Sequence, residues 1–430
     1  MGRRSVAVRI FNTLIASCVL LNASLLFADI EFATISDGDF VEASYGPSQN
    51  DNCATYCGCN DQWYLIPQTS SGIRFHGWLD AGIVANTDSP ASKFNGPYNA
   101  VDRSNEAMLN QLYLVAEKDL PHCGNGVGFR IDMLYGEDYL LAQSIGLETR
   151  QNGAAHWNSE YYGIAFPQAF VSVGNQDLSF QFGHFYSVVG YEGVMAPDNF
   201  FYSKAYSYQF AGPFTHWGGQ VNWKPSDALT LTLGLHNGWN ALDRVSDSVG
   251  FVGKAKYEFV DSGAWTSFAI TTGKEFNNLA GVAPVPGFAN RTRYSWLVNL
   301  PLTCRLDYVF HQWLGFQEDC APTGDRADWY GIDQYAYYTI NDCWKAGMRF
   351  EWFRDEEGTR VGLNRPSNPN NPPLAGDFYS VSCGLNWTPS SNFVLRPELR
   401  ADWYDGAANP YDDGTKSSQF LLGVDGILMF

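Results

Sequence analysis

The segment 393–403, FVLRPELRADW, sorts its side chains by parity more cleanly than any other part of the chain. Four charged residues stand at alternate positions: Arg396, Glu398, Arg400 and Asp402. The intervening positions are mostly apolar. Because successive side chains of a strand point to opposite faces, this segment predicts a β-strand with one wet face and one apolar face. The apolar face would meet a second sheet in a soluble sandwich, or lipid in an outer-membrane barrel.

The same alternation recurs along the rest of the chain. Turn residues separate segments of about ten residues, the length of a membrane-spanning strand. The predicted strands are 73–86, 109–118, 127–136, 166–174, 178–188, 214–224, 228–238, 249–259, 263–273, 292–300, 303–313, 328–340, 343–353, 377–388, 392–404 and 417–430. Pro397 cannot donate a hydrogen bond to a ladder, so a local bulge or defect is expected in its strand.

The connections between these strands alternate strictly between long and short. Every even-numbered strand is followed by a tight turn, as at 175–177 and 389–391. Long external loops and short periplasmic turns are typical of bacterial outer-membrane barrels, and an even strand count lets the last strand close on the first. The sequence therefore predicts an all-β, transmembrane, antiparallel up-and-down β-barrel of about 16 strands, provided that 203–212 is loop.

Charged residues of the predicted strands keep to one parity. A charge in the middle of a lipid-facing surface costs several kcal/mol, so the charged parity should face the lumen. Sixteen strands are enough to leave a water-filled channel. The predicted pore-lining residues are Arg74, Asp80, Arg130, Asp132, Lys254, Lys256, Arg305, Asp307, Arg349, Glu351, Arg396, Glu398, Arg400 and Asp402.

A long loop folded into the barrel would narrow such a channel. The candidates are 140–166 and the aromatic loop 190–211. The second is the third long loop, which constricts many general porins, and this step is an analogy. Its candidate constriction residues are Tyr191, Glu192, Phe200, Tyr202 and Lys204.

The N-terminal part predicts export. Arginines precede an apolar stretch that ends near Ala28, so 1–28 is interpreted as a signal peptide. Residues 29–72 would form a periplasmic extension that contains Cys53, Cys57 and Cys59. No fourth ligand follows at a zinc spacing, so disulfides are expected rather than metal, and their pairing stays open.

The net charge of -18 disfavours nucleic acid as a partner, because nucleic acid needs basic surface. Much of the acidity falls in the loops. Acidic loop mouths would concentrate cations at low salt, and the alternative is an acidic surface that only keeps the protein dispersed.

Several segments resemble one known family. They are GFRIDMLYGED at 128–138, FQFGHFYSVVGYE at 180–192, PFTHWG at 213–218 and HNGW at 236–239. In this order they resemble the OmpL-like beta-barrel porin family of the bacterial outer membrane, over roughly 73–430. The resemblance implies an outer-membrane barrel, 73–430, that acts as a diffusion pore. The terminal strand ending on Phe430 also resembles the signal read by the barrel-assembly machinery.

The function predicted from the sequence is a porin for passive diffusion of small hydrophilic solutes or ions, with a preference for cations. No nucleotide, zinc-protease or nucleophile-elbow motif stands in a convincing context, so neither catalysis nor a cofactor is expected. The expected partners are outer-membrane lipid, the barrel-assembly machinery through Phe430, and the diffusing solutes. Two alternatives stay open. One is an outer-membrane enzyme whose Ser and His meet only in space, and the other is a surface binding or adhesion protein.

Overall fold

The computed structural model describes residues 63–67, 69–150, 153–243, 246–276, 287–320, 324–362 and 374–430. The predicted signal peptide and the cysteines at 53, 57 and 59 lie outside the described residues. Among the helices of the described residues, none is long and apolar enough to span a membrane.

The described residues form one sheet of seventeen strands. The strands are β1 (Arg74–Asn86), β2 (Ala107–Lys118), β3 (Gly126–Gly136), β4 (Gly163–Ala165), β5 (Ala169–Gly174), β6 (Leu178–Tyr186), β7 (Thr215–Ser226), β8 (Leu229–His236), β9 (Gly250–Phe259), β10 (Ala264–Phe276), β11 (Phe288–Thr303), β12 (Leu306–Gln317), β13 (Ala327–Asn341), β14 (Trp344–Asp355), β15 (Gly376–Ser390), β16 (Phe393–Gly406) and β17 (Ser418–Met429).

The sheet closes into a barrel. Neighbouring strands pair antiparallel, and β17 pairs with β1, as where Leu79 lies opposite Leu428. Both β4 and β5 pair with β3, so together they make one interrupted strand of the wall. The wall therefore has sixteen strands, which confirms the predicted fold class. A closed wall leaves no unpaired edge, which a sheet surrounded by lipid requires.

Because neighbouring strands are antiparallel, the strand ends that the long connections join are at one end of the barrel and those that the short turns join are at the other. The third long connection, residues 187–214, is called loop 3 below. It contains a 3-10 turn, Ala196–Asp198, and the short helix α1, Tyr206–Phe210. Residues 203–212 are therefore not a strand, which keeps the strand count even.

The two faces of the wall have opposite character. Along β16, Leu399 is 45% exposed whereas Arg400 is 1% exposed. On β6 the outward Phe182 is 66% exposed. Apolar side chains thus cover the outside while charged ones fill the inside, the reverse of a soluble protein and the arrangement of a lipid-embedded barrel.

Pro397 interrupts pairing without a bulge. Its register with β17 is continuous, since Pro397 lies opposite Val424 between regularly paired neighbours. The ladder to β15 passes from the Gly384–Glu398 pair to the Trp387–Leu395 pair with the register unchanged. The missing proline N–H therefore costs a gap in one ladder, so of the two predicted outcomes the defect occurs.

The described cysteines fall into two groups. Cys304 and Cys343 are disulfide-bonded and lie in two of the short turns. Cys123, Cys320 and Cys383 are free thiols.

Candidate functional site: the barrel interior and loop 3

Loop 3 lies inside the barrel. Its backbone and side chains make hydrogen bonds with inward-facing residues of β13, β14 and β16. The other predicted candidate, 140–166, differs: its Ser144 contacts His184 and Thr215 at 3.1 Å each. These two residues belong to β6 and β7, so this part of that loop contacts a different stretch of the wall.

Two carboxylates of the wall receive the N–H groups of loop 3. Glu351 accepts hydrogen bonds from the backbone N–H groups of Tyr206 at 2.9 Å and Ser207 at 2.7 Å. Glu398 accepts from the backbone N–H of Ser203 at 2.8 Å and from its hydroxyl at 2.6 Å. These four hydrogen bonds hold the backbone of the loop to the wall.

Arg349 provides a matching contact of opposite sign. Its guanidinium donates to the Glu192 carboxylate at 2.7 Å, to the Ser203 carbonyl at 2.9 Å and to the Ser203 hydroxyl at 2.7 Å. The side chains of Arg349 and Glu192 are 0% and 5% exposed. A buried ion pair of this kind depends strongly on both partners.

Two further arginines bind loop 3 through its carbonyl groups. Arg396 donates to the carbonyls of Ala196 at 2.9 Å and Asn199 at 2.6 Å, and also pairs with Asp425. Arg400 donates to the carbonyl of Lys204 at 2.8 Å. Arg400 also forms an ion pair with the fourth charged residue of the strand, Asp402. All four charges of the β16 ladder therefore point inward, and its arginines and Glu398 hold loop 3.

Burial and neighbouring charges shift the pKa values of two charged residues of loop 3, Glu192 and Lys204. Burial favours a raised pKa for Glu192, but Arg349 and then Lys204 outweigh it and hold the pKa of Glu192 below its ordinary value. Burial lowers the pKa of Lys204, whose ammonium group donates to the Gly193 carbonyl at 2.9 Å. The carboxylate of Glu192 consequently remains ionised at neutral pH, and its pair with Arg349 stays intact.

Three consecutive aromatic residues of loop 3 lie against inward-facing glycines. Phe200 meets Gly347, Phe201 meets Gly384 and Tyr202 meets Gly423. A Cβ atom on Gly347 would stand 2.3 Å from the Phe200 ring. The glycines therefore form a flat strip on which the rings pack, in keeping with the rule that glycine within a strand marks a close approach.

The remaining predicted wall residues lie on other parts of the inner surface. Arg74 pairs with Glu117 at 2.6 Å and Arg130 with Asp132 at 2.8 Å, while Asp80 is buried. Lys256 pairs with Glu258 at 2.6 Å, and its neighbour of the same parity is Lys254. Arg305 and Asp307 are partly exposed at the short-turn end.

A cavity of about 130 Å³ separates loop 3 from the opposite wall. Lys254, Arg293 and His311 line it from β9, β11 and β12, and Tyr191 and Glu192 line it from loop 3. Of the five predicted constriction residues, these two border the cavity, and Phe200 and Tyr202 pack on the glycine strip. Lys204 is buried within the loop.

Sequence reasoning missed several residues of the interior. Asp333 accepts a hydrogen bond from the Ser207 hydroxyl at 2.7 Å. The indole N–H of Trp329 donates to the Ala211 carbonyl at 2.9 Å. Arg293 and the glycine strip were missed too. Their inward parity was readable from the sequence, but their partners on loop 3 were not.

Three missed polar residues on adjacent strands form a Ser–His–Asp chain. The Ser295 hydroxyl lies 2.9 Å from Nε2 of His311, and Nδ1 of His311 lies 2.7 Å from the Asp333 carboxylate. The order of contacts is that of a hydrolase triad. All three residues are at most 2% exposed, and the cavity reaches His311 but is not lined by Ser295.

Comparisons with known proteins agree with this architecture. The model of the family described as Putative beta-barrel porin-2, OmpL-like matches residues 72–430. No curated protein matches the chain in sequence.

The solved structures similar to this chain include several outer-membrane proteins. The outer membrane channel DcaP of Acinetobacter baumannii has a TM-score of 0.57 at 10% identity and covers 84% of this chain and 99% of its own. An anion-selective porin from Comamonas acidovorans has a TM-score of 0.54 at 10% identity, with 83% and 99% coverage. OprB of Pseudomonas putida has a TM-score of 0.52 at 12% identity, with 84% and 94% coverage. At these identities the likeness concerns the fold.

Proposed function

Because the chain belongs to the Putative beta-barrel porin-2, OmpL-like family, we propose that it forms a water-filled channel in the bacterial outer membrane for passive diffusion of small hydrophilic solutes and ions. The observation that carries this proposal is a closed sixteen-strand wall with charged residues inside and apolar residues outside. A barrel of this strand number leaves room for an aqueous pathway beside an inward-folded loop.

The proposed partners follow from the two faces of the wall. Outer-membrane lipid covers the apolar outside, the barrel-assembly machinery inserts the chain through its last strand and Phe430, and solutes pass through the inside. The extension 29–72 is proposed to be periplasmic. In support, Trp63 exchanges hydrogen bonds of 3.0 and 2.9 Å with Asn392, which lies in a short turn.

Planar-bilayer recording tests the channel. Purified protein should give discrete conductance steps, because ions pass through a water-filled barrel but not through a membrane that has no pore. Heat-modifiable mobility on a gel serves as the control that the sample is folded. Folded protein that never produces steps would contradict the proposal.

The ion preference is a finer part of the same proposal. Acidic residues outnumber basic ones in the long loops, so cations should be enriched at the mouth. We expect the reversal potential across a salt gradient to show a cation preference at low salt that weakens as the salt concentration rises, because salt screens the loop charges. Anion preference at low salt would overturn this part alone.

The Ser295–His311–Asp333 chain favours one second candidate, a hydrolase in the barrel wall. Since Ser295 is 1% exposed, we expect these residues to act as a polar network of the wall. A fluorophosphonate probe should then label the wild-type protein no more than Ser295→Ala. Labelling that the substitution abolishes would instead support the hydrolase.

A further inference from the structure

The cavity between loop 3 and the wall is lined by two cations, Arg293 and Lys254. Arg293 is 3% exposed, and its Nη1 donates a long hydrogen bond of 3.5 Å to the Val189 carbonyl. Its Nε atom is buried without a hydrogen-bond partner. Within the described ranges, neither Arg293 nor Lys254 lies within 4.0 Å of an Asp or Glu oxygen. A buried cation without a counterion is destabilising, so a bound anion would stabilise the guanidinium of Arg293.

Two glycines of loop 3 let the loop pack closely against Arg293, which still lines the cavity. Gly190 and Gly212 flank its guanidinium: a Cβ on Gly212 would stand 2.0 Å from Nη1, and one on Gly190 would stand 3.7 Å from Nη2. Gly190 also has φ +120, a conformation that favours glycine. A side chain at Gly212 would therefore collide with the guanidinium, whereas one at Gly190 would only come into contact with it.

The other charged groups around the cavity do not neutralise the two cations. Glu192 is already paired with Arg349 at 2.7 Å and accepts the Ala205 N–H at 2.8 Å. Both ring nitrogens of His311 are engaged, by Ser295 and Asp333. Asp198 is the second carboxylate of the lining. The Asp333 carboxylate attracts Arg293 from beyond 4.0 Å and is itself hydrogen-bonded to His311 and Ser207, so among the described residues neither cation has a carboxylate in direct contact.

The two cations belong to a longer track on the same wall. Arg291 precedes Arg293 by two residues on β11, and Lys256 follows Lys254 by two on β9. Lys254 lies opposite Ala269, which lies opposite Ser295, so Lys254 stands one inward position below Arg293. Inward residues two apart are spaced by about 7 Å, so four cations descend along the wall.

From these contacts we propose that the cavity binds a small organic anion, with its carboxylate or phosphate group at Arg293 and Lys254. This inference rests on the proposed channel, which would deliver the solute. A cavity of about 130 Å³ accommodates one such group together with a few waters, at roughly 30 Å³ for each water. The rings of Tyr191 and Tyr208 also line the cavity and would contact the carbon part of the anion. The site is local and does not depend on the ion preference set at the mouth.

Titration calorimetry on detergent-folded full-length protein tests the site, with inorganic phosphate and benzoate as probes. Benzamide, which is uncharged and similar in shape, serves as the ligand control. We expect phosphate and benzoate to bind and benzamide not to bind. Lys254→Gln removes an accessible charge without breaking a contact, and Arg293→Gln removes the buried one. Each should weaken binding about tenfold or more, because each removes a charge-assisted contact. Arg305→Gln, which lies outside the cavity, should bind as the wild type does.

Single-channel recording separates failure of the site from failure of the channel. Benzoate should interrupt the wild-type current, and these interruptions should be reduced in Lys254→Gln. Binding without any conductance would refute the channel and leave the site standing. Wild-type protein that binds neither anion, or variants at 254 and 293 that bind as tightly as Arg305→Gln, would overturn the site.

Discussion

Replacing Arg349 by Met should loosen loop 3 and give a channel of larger and noisier conductance. The substitution leaves the buried Glu192 carboxylate without its closest cation and removes the donors to Ser203. Breaking one side of a buried ion pair typically costs about 3–5 kcal/mol. The barrel wall has its own hydrogen-bonded ladders, so the loss should fall on the loop. Single-channel conductance and open-channel noise measure it.

The matched control is Arg354→Met on the same strand. Arg354 has the opposite parity and is partly exposed, with ion pairs to Glu356 at 2.8 Å and Asp377 at 2.7 Å. Exposed pairs contribute roughly 0–1 kcal/mol, so this variant should conduct like the wild type. Identical conductance and noise in both variants would show that Arg349 does not hold the loop.

Leu399→Arg should impair assembly of the barrel. Leu399 lies near the middle of β16 and is 45% exposed on the apolar outside. An arginine at the bilayer midplane costs about 2–4 kcal/mol. We expect a lower yield of the heat-modifiable folded form, and an unfolding transition at lower urea concentration in detergent or lipid.

Gln181→Arg provides the control for adding a charge as such. Gln181 is half-buried and faces inward on β6, where it accepts a hydrogen bond from Gln220 at 3.3 Å. Water in the lumen can solvate a new charge there, so folding should be nearly unchanged. If Leu399→Arg assembles as well as Gln181→Arg does, the outside of the barrel is not the lipid face.

The structure also changes what a substitution at Arg400 would report. The parity of β16 placed Arg400 on the inner face, where a charge reversal would be expected to alter ion preference alone. Arg400 instead donates to the Lys204 carbonyl and pairs with Asp402. Arg400→Glu would therefore disturb loop 3 as well as the charge of the lumen.

The alternation within each strand and the length of each connection were determined by the sequence alone. Both are local properties. Side chains two positions apart on a strand point to the same face, and charged side chains are unfavourable on the face that contacts lipid. This is why the inward direction of the β16 charges could be predicted, and why the strand count could be predicted on the condition that 203–212 is loop, which the structure meets.

The partners of those charges were decided only by the tertiary structure. Arg349 meets Glu192 across 157 residues of sequence, and Glu398 meets Ser203 across 195. Many inward charges of either sign could have formed these contacts, because parity fixes a face but not a height or a neighbour across the lumen. The position of loop 3 also depends on shape, because the absence of a side chain at Gly347 leaves room for the Phe200 ring. That Arg293 and Lys254 line one cavity without a carboxylate in direct contact among the described residues also became visible only in the tertiary structure.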